Sequence, residues 1–268
     1  MNREKGLTSA HLKYIAIALM LLDHIGSFFR RDILQFNQNI FGVEWPWDYY
    51  IYAAVFLFGR IAFPVFAFQL SEGIRHTRSP EKYIGRLFLF GVISELPYRF
   101  MQQVLAGEQL YLDFAFRNVM FTMLLAVAAC YIYQQLCKRG IPVSGAMMPA
   151  VMLILLAEWL QTDYGGAGVA LVFTLYLVSR TGQRVLLLTM WTVYTYIINS
   201  WSEGNFYGQY GRYYISVALL CTAYALLAVP LIAAYNGRKG KTPRYLFYLF
   251  YPVHLWVLAG LYFIFKLR

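Results

Sequence analysis

The chain has 268 residues, of which 60% are hydrophobic, 19% aromatic and only 13% charged. A soluble domain carries about 25% charged residues, so this composition excludes an ordinary soluble globular protein. The net charge of +10 comes from Lys and Arg residues spread over several short segments between apolar runs. That spread excludes the single basic face that typifies nucleic-acid binding. We therefore interpret the chain as an integral membrane protein embedded in a lipid bilayer.

Nine apolar windows, taken in chain order, approach the ~20 residues that a membrane-spanning helix needs. They lie at roughly 13–29, 51–73, 83–105, 116–136, 142–160, 164–180, 184–200, 212–235 and 244–265. Two of them are short, so eight or ten spans also fit the pattern. The predicted fold is an all-α polytopic membrane protein of about nine transmembrane helices, forming a single domain over residues 1–268.

The first window follows basic residues, as the apolar run of a signal peptide does. The pair Asp23-His24 interrupts this run, and no small-x-small cleavage site follows it. The sequence therefore predicts a retained first helix.

The placement of basic residues predicts a cytoplasmic N-terminus and an outer C-terminus. In that orientation fifteen Lys and Arg residues fall on the inner side and seven on the outer side, which is the bias of the positive-inside rule. The inner set is Arg3, Lys5, Lys13, Arg75, Arg78, Lys82, Arg86, Lys138, Arg139, Arg180, Arg184, Arg238, Lys239, Lys241 and Arg244. The outer set is Arg30, Arg31, Arg99, Arg117, Arg212, Lys266 and Arg268.

Five ionisable side chains lie inside these windows: Asp23, His24, Arg60, Glu95 and His254. Such a group costs several kcal/mol in the hydrocarbon, about 2.5–3.5 even on the mildest scale, and usually faces a partner or a wet cavity. A helix rises ~1.5 Å per residue. Counted from the inner boundary of their windows, Asp23, Arg60, Glu95 and His254 lie about 13–18 Å deep, near the middle of a ~30 Å core. The shared depth predicts a mid-membrane polar site.

Each of these residues has a structural interpretation beside the functional one. Asp23 and His24 could hold the first helix in register, or His24 could be a catalytic base. Neighbouring positions on a helix do not face each other, so each should have its partner on another helix. Arg60 and Glu95 could form a structural ion pair or take part in chemistry directly.

A basic stretch follows the second window and contains Arg75, Arg78, Lys82 and Arg86. It could be a solvated loop that only sets topology, or it could bind a phosphate-bearing ligand through charge-assisted hydrogen bonds. No metal is expected, because the three cysteines lack metal-ligand spacing.

Four motifs resemble the TraX family of membrane acetyltransferases and, more distantly, acyltransferase-3-like membrane enzymes. They are IALMLLDH at Ile17–His24, GRIAFPVF at Gly59–Phe66, DYGG at Asp163–Gly166 and YPVHL at Tyr251–Leu255. The resemblance implies acetylation of the N-terminal amine of a conjugative pilin by acetyl-CoA, in the bacterial cytoplasmic membrane. The acceptor expected here is an amine or hydroxyl outside the cytoplasm, on a pilin-like peptide or a glycan.

Acyl transfer needs a base for the acceptor proton and a cation or donor for the developing oxyanion. His24 is the preferred base and His254 the alternative, with Arg60 as the stabilising cation. Asp23 and Glu95 would orient these groups, and the basic stretch would meet the phosphates of acetyl-CoA.

The competing classes are a secondary transporter and an envelope or pilus-assembly scaffold. Midplane charges and helix-interior prolines, here Pro64, Pro97 and Pro252, also occur in transporters. Against a transporter, no repeat relates the two halves of the chain, and the charges concentrate in windows one to three and nine.

Overall fold

The computed structural model describes residues 6–43, 47–109, 112, 114–202, 211–243 and 245–266. Within these ranges the protein is helical and has no strand, apart from one isolated parallel bridge between Leu7 and Tyr235. The all-α prediction is therefore confirmed for the described part of the chain. Four residues of the charge count, together with the side chain of a fifth, lie outside the described residues: Arg3, Lys5, Arg244 and Arg268, and the side chain of Arg212.

The helices in chain order are α1 (Ser9–Phe28), α2 (Arg30–Phe41), α3 (Trp47–Phe56), α4 (Ala62–His76), α5 (Pro80–Ala106), α6 (Val119–Lys138), α7 (Val143–Trp159), α8 (Gly165–Leu177), α9 (Thr181–Val193), α10 (Asn199–Ser202), α11 (Gly211–Leu226), α12 (Ala228–Ala233) and α13 (Leu246–Lys266). A 3-10 turn, Leu57–Ile61, joins α3 to α4, and a π-turn, Tyr194–Ile198, joins α9 to α10. Each predicted window is occupied by one of these helices or by a run of them, whereas α2 was not predicted.

Four helical segments are long and apolar enough to cross a membrane. They are Trp47–His76, Val119–Lys138, Tyr213–Ala233 and Leu246–Lys266. A fifth exists if α1 and α2, which bend by 78° at their junction, count as one span. The described residues thus form a helical protein with four or five membrane-capable segments, and the count of nine spans stays a prediction.

Contacts divide the chain into two compact units. Unit 1 contains residues 1–65, 188–242 and 257–268, and unit 2 contains residues 66–187 and 243–256. Three of the predicted site residues, Asp23, His24 and Arg60, belong to unit 1. The other two, Glu95 and His254, belong to unit 2.

Small residues let helices approach closely in both units. In unit 2, where α6, α7 and α8 pack together, Ala126, Ala146 and Ala157 have no exposed surface. In unit 1, α1 packs on the 3-10 turn through glycines. Small residues at helix contacts are the usual solution in membranes, where packing rather than the hydrophobic effect drives association.

Candidate active site

An ion pair between α1 and the 3-10 turn is the centre of the candidate site in unit 1. Arg60 Nη2 lies 2.8 Å from Asp23 Oδ1, and the two side chains are 30% and 20% exposed. This distance is that of a charge-assisted hydrogen bond. The pair is therefore fixed in position and still partly accessible. It also confirms that Asp23 has its partner on another element.

Two glycines allow this close approach. A Cβ added at Gly59 would lie 2.2 Å from the Cβ of Asp23, and one at Gly26 would lie 2.6 Å from the ring of Phe56. Neither distance is sterically possible, so only glycine fits at these two positions without displacing the neighbouring element. The glycine that precedes Arg60 is thus part of the geometry that brings the guanidinium to the carboxylate.

Pro64 lies three positions into α4, just after the 3-10 turn ends. Proline lacks a backbone N–H, but in the first turn of a helix this N–H would have no acceptor within the helix. A proline there therefore costs no helix hydrogen bond. The sequence analysis treated Pro64 as a helix-interior proline, whereas the structure places it in the first turn of α4, directly after the change from 3-10 to α geometry.

His24 is buried, and it lies one residue from the ion pair on α1. His24, Tyr52 and Cys221 all lie within electrostatic range of the Arg60 guanidinium. Asp23, His24 and Arg60 therefore form one cluster in unit 1. They are three of the five ionisable residues predicted to lie in the membrane.

An aromatic group next to this cluster was missed by the sequence interpretation. Tyr52 stacks on Phe56 with ring centroids 5.0 Å apart, and Tyr49 lies 5.5 Å from Tyr52. The guanidinium of Arg30 lies over the Tyr49 ring at 5.4 Å, a cation–π geometry. The abundance of tyrosine was visible in the sequence, but its clustering depends on the junction of α1, α2 and α3.

Glu95 has a different environment in unit 2. It is fully buried, and its carboxylate accepts hydrogen bonds from the backbone N–H groups of Ala115 (3.3 Å), Arg117 (2.8 Å) and Asn118 (3.1 Å), and from Asn118 Nδ2 (2.7 Å). Four donors satisfy the carboxylate. Glu95 thus finds its donors within unit 2, namely three backbone N–H groups and one side-chain amide, whereas the carboxylate that Arg60 contacts is Asp23.

Asn118 connects Glu95 to the start of α6. Its Oδ1 accepts from Met120 N at 2.9 Å and so caps α6, while its Nδ2 also donates to Gly91 O at 2.8 Å. An Asn directly before an apolar run is an N-cap signal, and the sequence analysis did not use it. Glu95 and Asn118 together tie α5 to the start of α6.

His254 is buried on α13, and its ring orientation is fixed. Its Nδ1 lies 2.7 Å from Phe250 O, and its ring stacks on Phe250 at 4.7 Å. Because a carbonyl oxygen only accepts, this contact requires the hydrogen on Nδ1 and leaves Nε2 as the nitrogen with the lone pair. His254 is thus held in the tautomer that a general base on Nε2 would need.

The four basic residues after the second window divide into two kinds. Arg75 donates to the carbonyls of Leu175, Tyr176 and Val178 at 3.1, 2.5 and 2.5 Å, so it caps the C-terminal end of α8. Arg86 lies over the Tyr248 ring at 5.3 Å.

Arg78 and Lys82 differ from Arg75 and Arg86. Both are exposed, and within the described ranges neither makes an ion pair or a side-chain hydrogen bond. Of the four cations predicted to meet phosphates, these two are available to a ligand.

Glu72 binds Arg184 at 2.7 Å and approaches Arg75 at 3.6 Å. This network supports the end of α8 from the neighbouring helices. Among the described residues no group of three or more His, Cys, Asp or Glu side chains is placed to hold a metal ion.

Comparison with known proteins gives one family. The family model described as "TraX protein" matches residues 8–262. The "Probable fimbrial assembly protein FimC, serogroup H1" of Dichelobacter nodosus is 30% identical over 265 residues, which is 97% of this chain and 98% of that protein. "Protein TraX" of Escherichia coli is 30% identical over 184 residues, 66% of this chain and 60% of that protein. No solved structure matches.

Proposed function

Because the chain belongs to the TraX family, we propose that it is a membrane acetyltransferase. It would move acetyl from cytoplasmic acetyl-CoA to an amine or hydroxyl of an extracytoplasmic acceptor, either a pilin-like peptide or a glycan. The observation that supports this most is the cluster of Asp23, His24 and Arg60, which lies in the first two of the four motifs that carry the resemblance. The relatives' names mention fimbrial assembly and TraX, so catalysis is our inference.

The proposed reaction begins with attack of the acceptor nitrogen or oxygen on the acetyl carbonyl carbon. A histidine takes the acceptor proton as general base. The carbonyl oxygen becomes negative, and a fixed, partly exposed guanidinium at Arg60 stabilises it. The C–S bond then breaks, and the CoA sulfur takes the proton from the histidine and leaves as the thiol.

The two candidate bases have different support. His24 belongs to the cluster with Arg60, which makes it the preferred base. His254 has a tautomer fixed by the contact of Nδ1 with Phe250 O, which puts the lone pair on Nε2, and it stays the alternative. Asp23 orients Arg60 in this proposal. Glu95 accepts four hydrogen bonds from residues 115–118, and these favour a role in positioning that segment of unit 2.

The proposed setting is the bacterial cytoplasmic membrane, with the N-terminus inside and about nine spans. Exposed Arg78 and Lys82 would then lie on the cytoplasmic side, where the 3′-phosphate and pyrophosphate of acetyl-CoA arrive. The acceptor would approach from the opposite side.

The test is transfer of radiolabelled acetyl from acetyl-CoA by purified protein in proteoliposomes to solubilised envelope fractions. We expect label in an envelope protein or glycan only when the protein is present. Absence of transfer by protein that melts cooperatively would contradict the proposal.

A pilus-assembly scaffold is a second candidate, favoured by the printed name of the Dichelobacter nodosus relative. A scaffold would support pilus assembly in cells even when Arg60 is changed to Lys, provided that the variant is stable. If the protein is an acetyltransferase whose product is needed for assembly, Arg60→Lys would abolish acetyl transfer and pilus assembly together.

A further inference from the structure

Helix α2 leaves the axis of α1 abruptly. The two helices meet at Phe29 with a bend of 78°. α1 has 20 residues, so at ~1.5 Å per residue it is about 30 Å long, which is the thickness of the hydrocarbon core. If α1 crosses the bilayer with the usual tilt of about 20°, α2 starts at a membrane surface and runs nearly parallel to it.

The sequence of α2 separates apolar from polar residues. Ile33, Phe36 and Ile40 follow one edge at helical spacing, and Phe36 and Ile40 are 57% and 62% exposed. The face turned away from this edge carries Arg31, Gln35 and Gln38. An amphipathic helix of low overall hydrophobicity is typical of segments that lie in the interface plane.

Contacts within unit 1 hold α2 in this direction. Asn37 Nδ2 donates to Asp48 O at 3.0 Å, and Gln38 Nε2 donates to Asp48 Oδ2 at 2.7 Å. At the other end, Lys266 Nζ lies 2.8 Å from Asp32 Oδ1. The orientation is therefore fixed at both ends of the helix.

The exposed edge of α2 continues the apolar surface of α13. The rings of Phe29 and Phe265 lie 6.1 Å apart, and Ile264 and Phe265 are exposed at the end of this membrane-capable helix. An open cleft of about 450 Å³ is lined by the rings of Phe29 and Phe265 and by the Asp32–Lys266 pair. Apolar rings beside a lysine that ends a span are typical of the membrane–water boundary.

We propose that α2 is an interfacial anchor whose partner is the lipid bilayer. The edge of Phe36 and Ile40 enters the acyl-chain boundary, and the face of Arg31 and Gln35 stays in water. A re-entrant position deep in the core is excluded by the charged and amide side chains of α2, because hydrocarbon would leave their polar groups without water.

Spin-label accessibility in proteoliposomes of phosphatidylethanolamine and phosphatidylglycerol tests this placement. Labels are attached to Arg31→Cys, Gln35→Cys, Phe36→Cys and Ile40→Cys, each in a background with Cys130→Ala, Cys137→Ser and Cys221→Ala. We expect oxygen to relax labels at 36 and 40 most strongly, and a water-soluble nickel chelate to relax labels at 31 and 35. Uniform access of either reagent at all four positions would overturn the proposal.

A second measurement keeps the native cysteines. A photo-reactive phenylalanine analogue is incorporated at Phe36 or, as the control, at Gln35, and membranes are irradiated. Lipid adducts at position 36 and few at position 35 are expected. Adducts of position 36 to another protein or to a second copy of this chain would show that α2 has a different partner and would overturn the lipid assignment.

Discussion

At the residue scale, Gly59 is the position where the structure makes the sharpest steric prediction. In Gly59→Ala the new Cβ would meet the Cβ of Asp23 at 2.2 Å, so α1 and the 3-10 turn must separate. We expect a loss of about 1–3 kcal/mol in the free energy of unfolding, as for overpacked sites, and loss of acetyl transfer. Thermal melting in detergent and the transfer assay measure both effects.

Gly85→Ala is the matched control, because a Cβ at this helical position meets nothing within 4 Å. Replacing such a glycine usually stabilises a protein by about 0.4–1 kcal/mol. If Gly59→Ala melted like Gly85→Ala, the close packing of Gly59 on Asp23 would be disproved.

The Asp23–Arg60 pair should show energetic coupling. Asp23→Asn and Arg60→Met each leave one partly buried charge without its partner, and the double variant removes both charges. We expect a coupling energy of about 1–3 kcal/mol, within the range for groups in direct contact, together with loss of activity in all three variants.

The exposed pair of Lys266 and Asp32, with side chains 47% and 46% exposed, is the control for this double-mutant cycle. Exposed pairs contribute about 0–1 kcal/mol. Equal coupling in the two cycles would mean that the Asp23–Arg60 pair has no special energetic role.

The sequence predicted the ionisable residues of the site better than their partners. Asp23 and Arg60 stood out because charge is costly in an apolar helix, and that cost is local. Which carboxylate Arg60 contacts depends on the packing of α1 against the 3-10 turn, which no local pattern encodes. The backbone donors around Glu95 come from residues 115–118, whose irregular conformation has no periodic signal.

At the element scale, the Glu95–Asn118 contacts predict a structural phenotype. Glu95→Gln turns one of the two carboxylate oxygens into an NH2 donor. The N–H groups on that oxygen, Asn118 N and Nδ2 if the amide oxygen stays with Ala115 and Arg117, lose their acceptor, and a buried donor left without a partner costs about 1–3 kcal/mol. We expect faster hydrogen exchange at residues 114–118 and lower thermal stability, while the kcat of the remaining folded protein stays near wild type. Hydrogen exchange with mass spectrometry measures the local effect.

Glu108→Gln, at an exposed position, is the control and should change neither property. If Glu95→Gln kept normal exchange and stability but lost activity, Glu95 would be catalytic, as the sequence interpretation proposed.

The basic residues near α5 should separate into ligand-binding and structural members. Arg78→Gln with Lys82→Gln should raise the KM for acetyl-CoA roughly tenfold, which corresponds to about 1.4 kcal/mol, with little change in kcat. Arg75→Gln should instead lower thermal stability, because the α8 carbonyls lose their donor. An unchanged KM in the double variant would leave Arg78 and Lys82 as topology determinants only.

Helix positions were readable from hydropathy, whereas their irregularities were not. All nine windows contain helix, since a long apolar run in a membrane protein has to satisfy its own backbone hydrogen bonds. The sharp bend at Phe29 and the 3-10 turn before α4 have no counterpart in the hydropathy pattern. They are two places where the described structure departs from an uninterrupted row of spans.

At the scale of the whole molecule, the sequence predicts a depth for each ionisable group but not its neighbours. The rise of a helix converts sequence position into depth, so these groups are predicted to lie near the middle of a membrane. The choice of neighbouring helices depends on packing, and the structure distributes these groups over two units. The central claim is therefore that the unit 1 cluster of Asp23, His24 and Arg60 carries the chemistry.

The most direct test of that claim is the rate of acetyl transfer by purified His24→Ala, compared with wild type and with His254→Ala. Removing a general base usually lowers the rate 10²–10⁴-fold. We expect a loss of this size for His24→Ala, with unchanged expression and melting temperature. If His24→Ala kept more than about half of the wild-type rate while His254→Ala was inactive, the base would be His254 in unit 2 and the account would be contradicted.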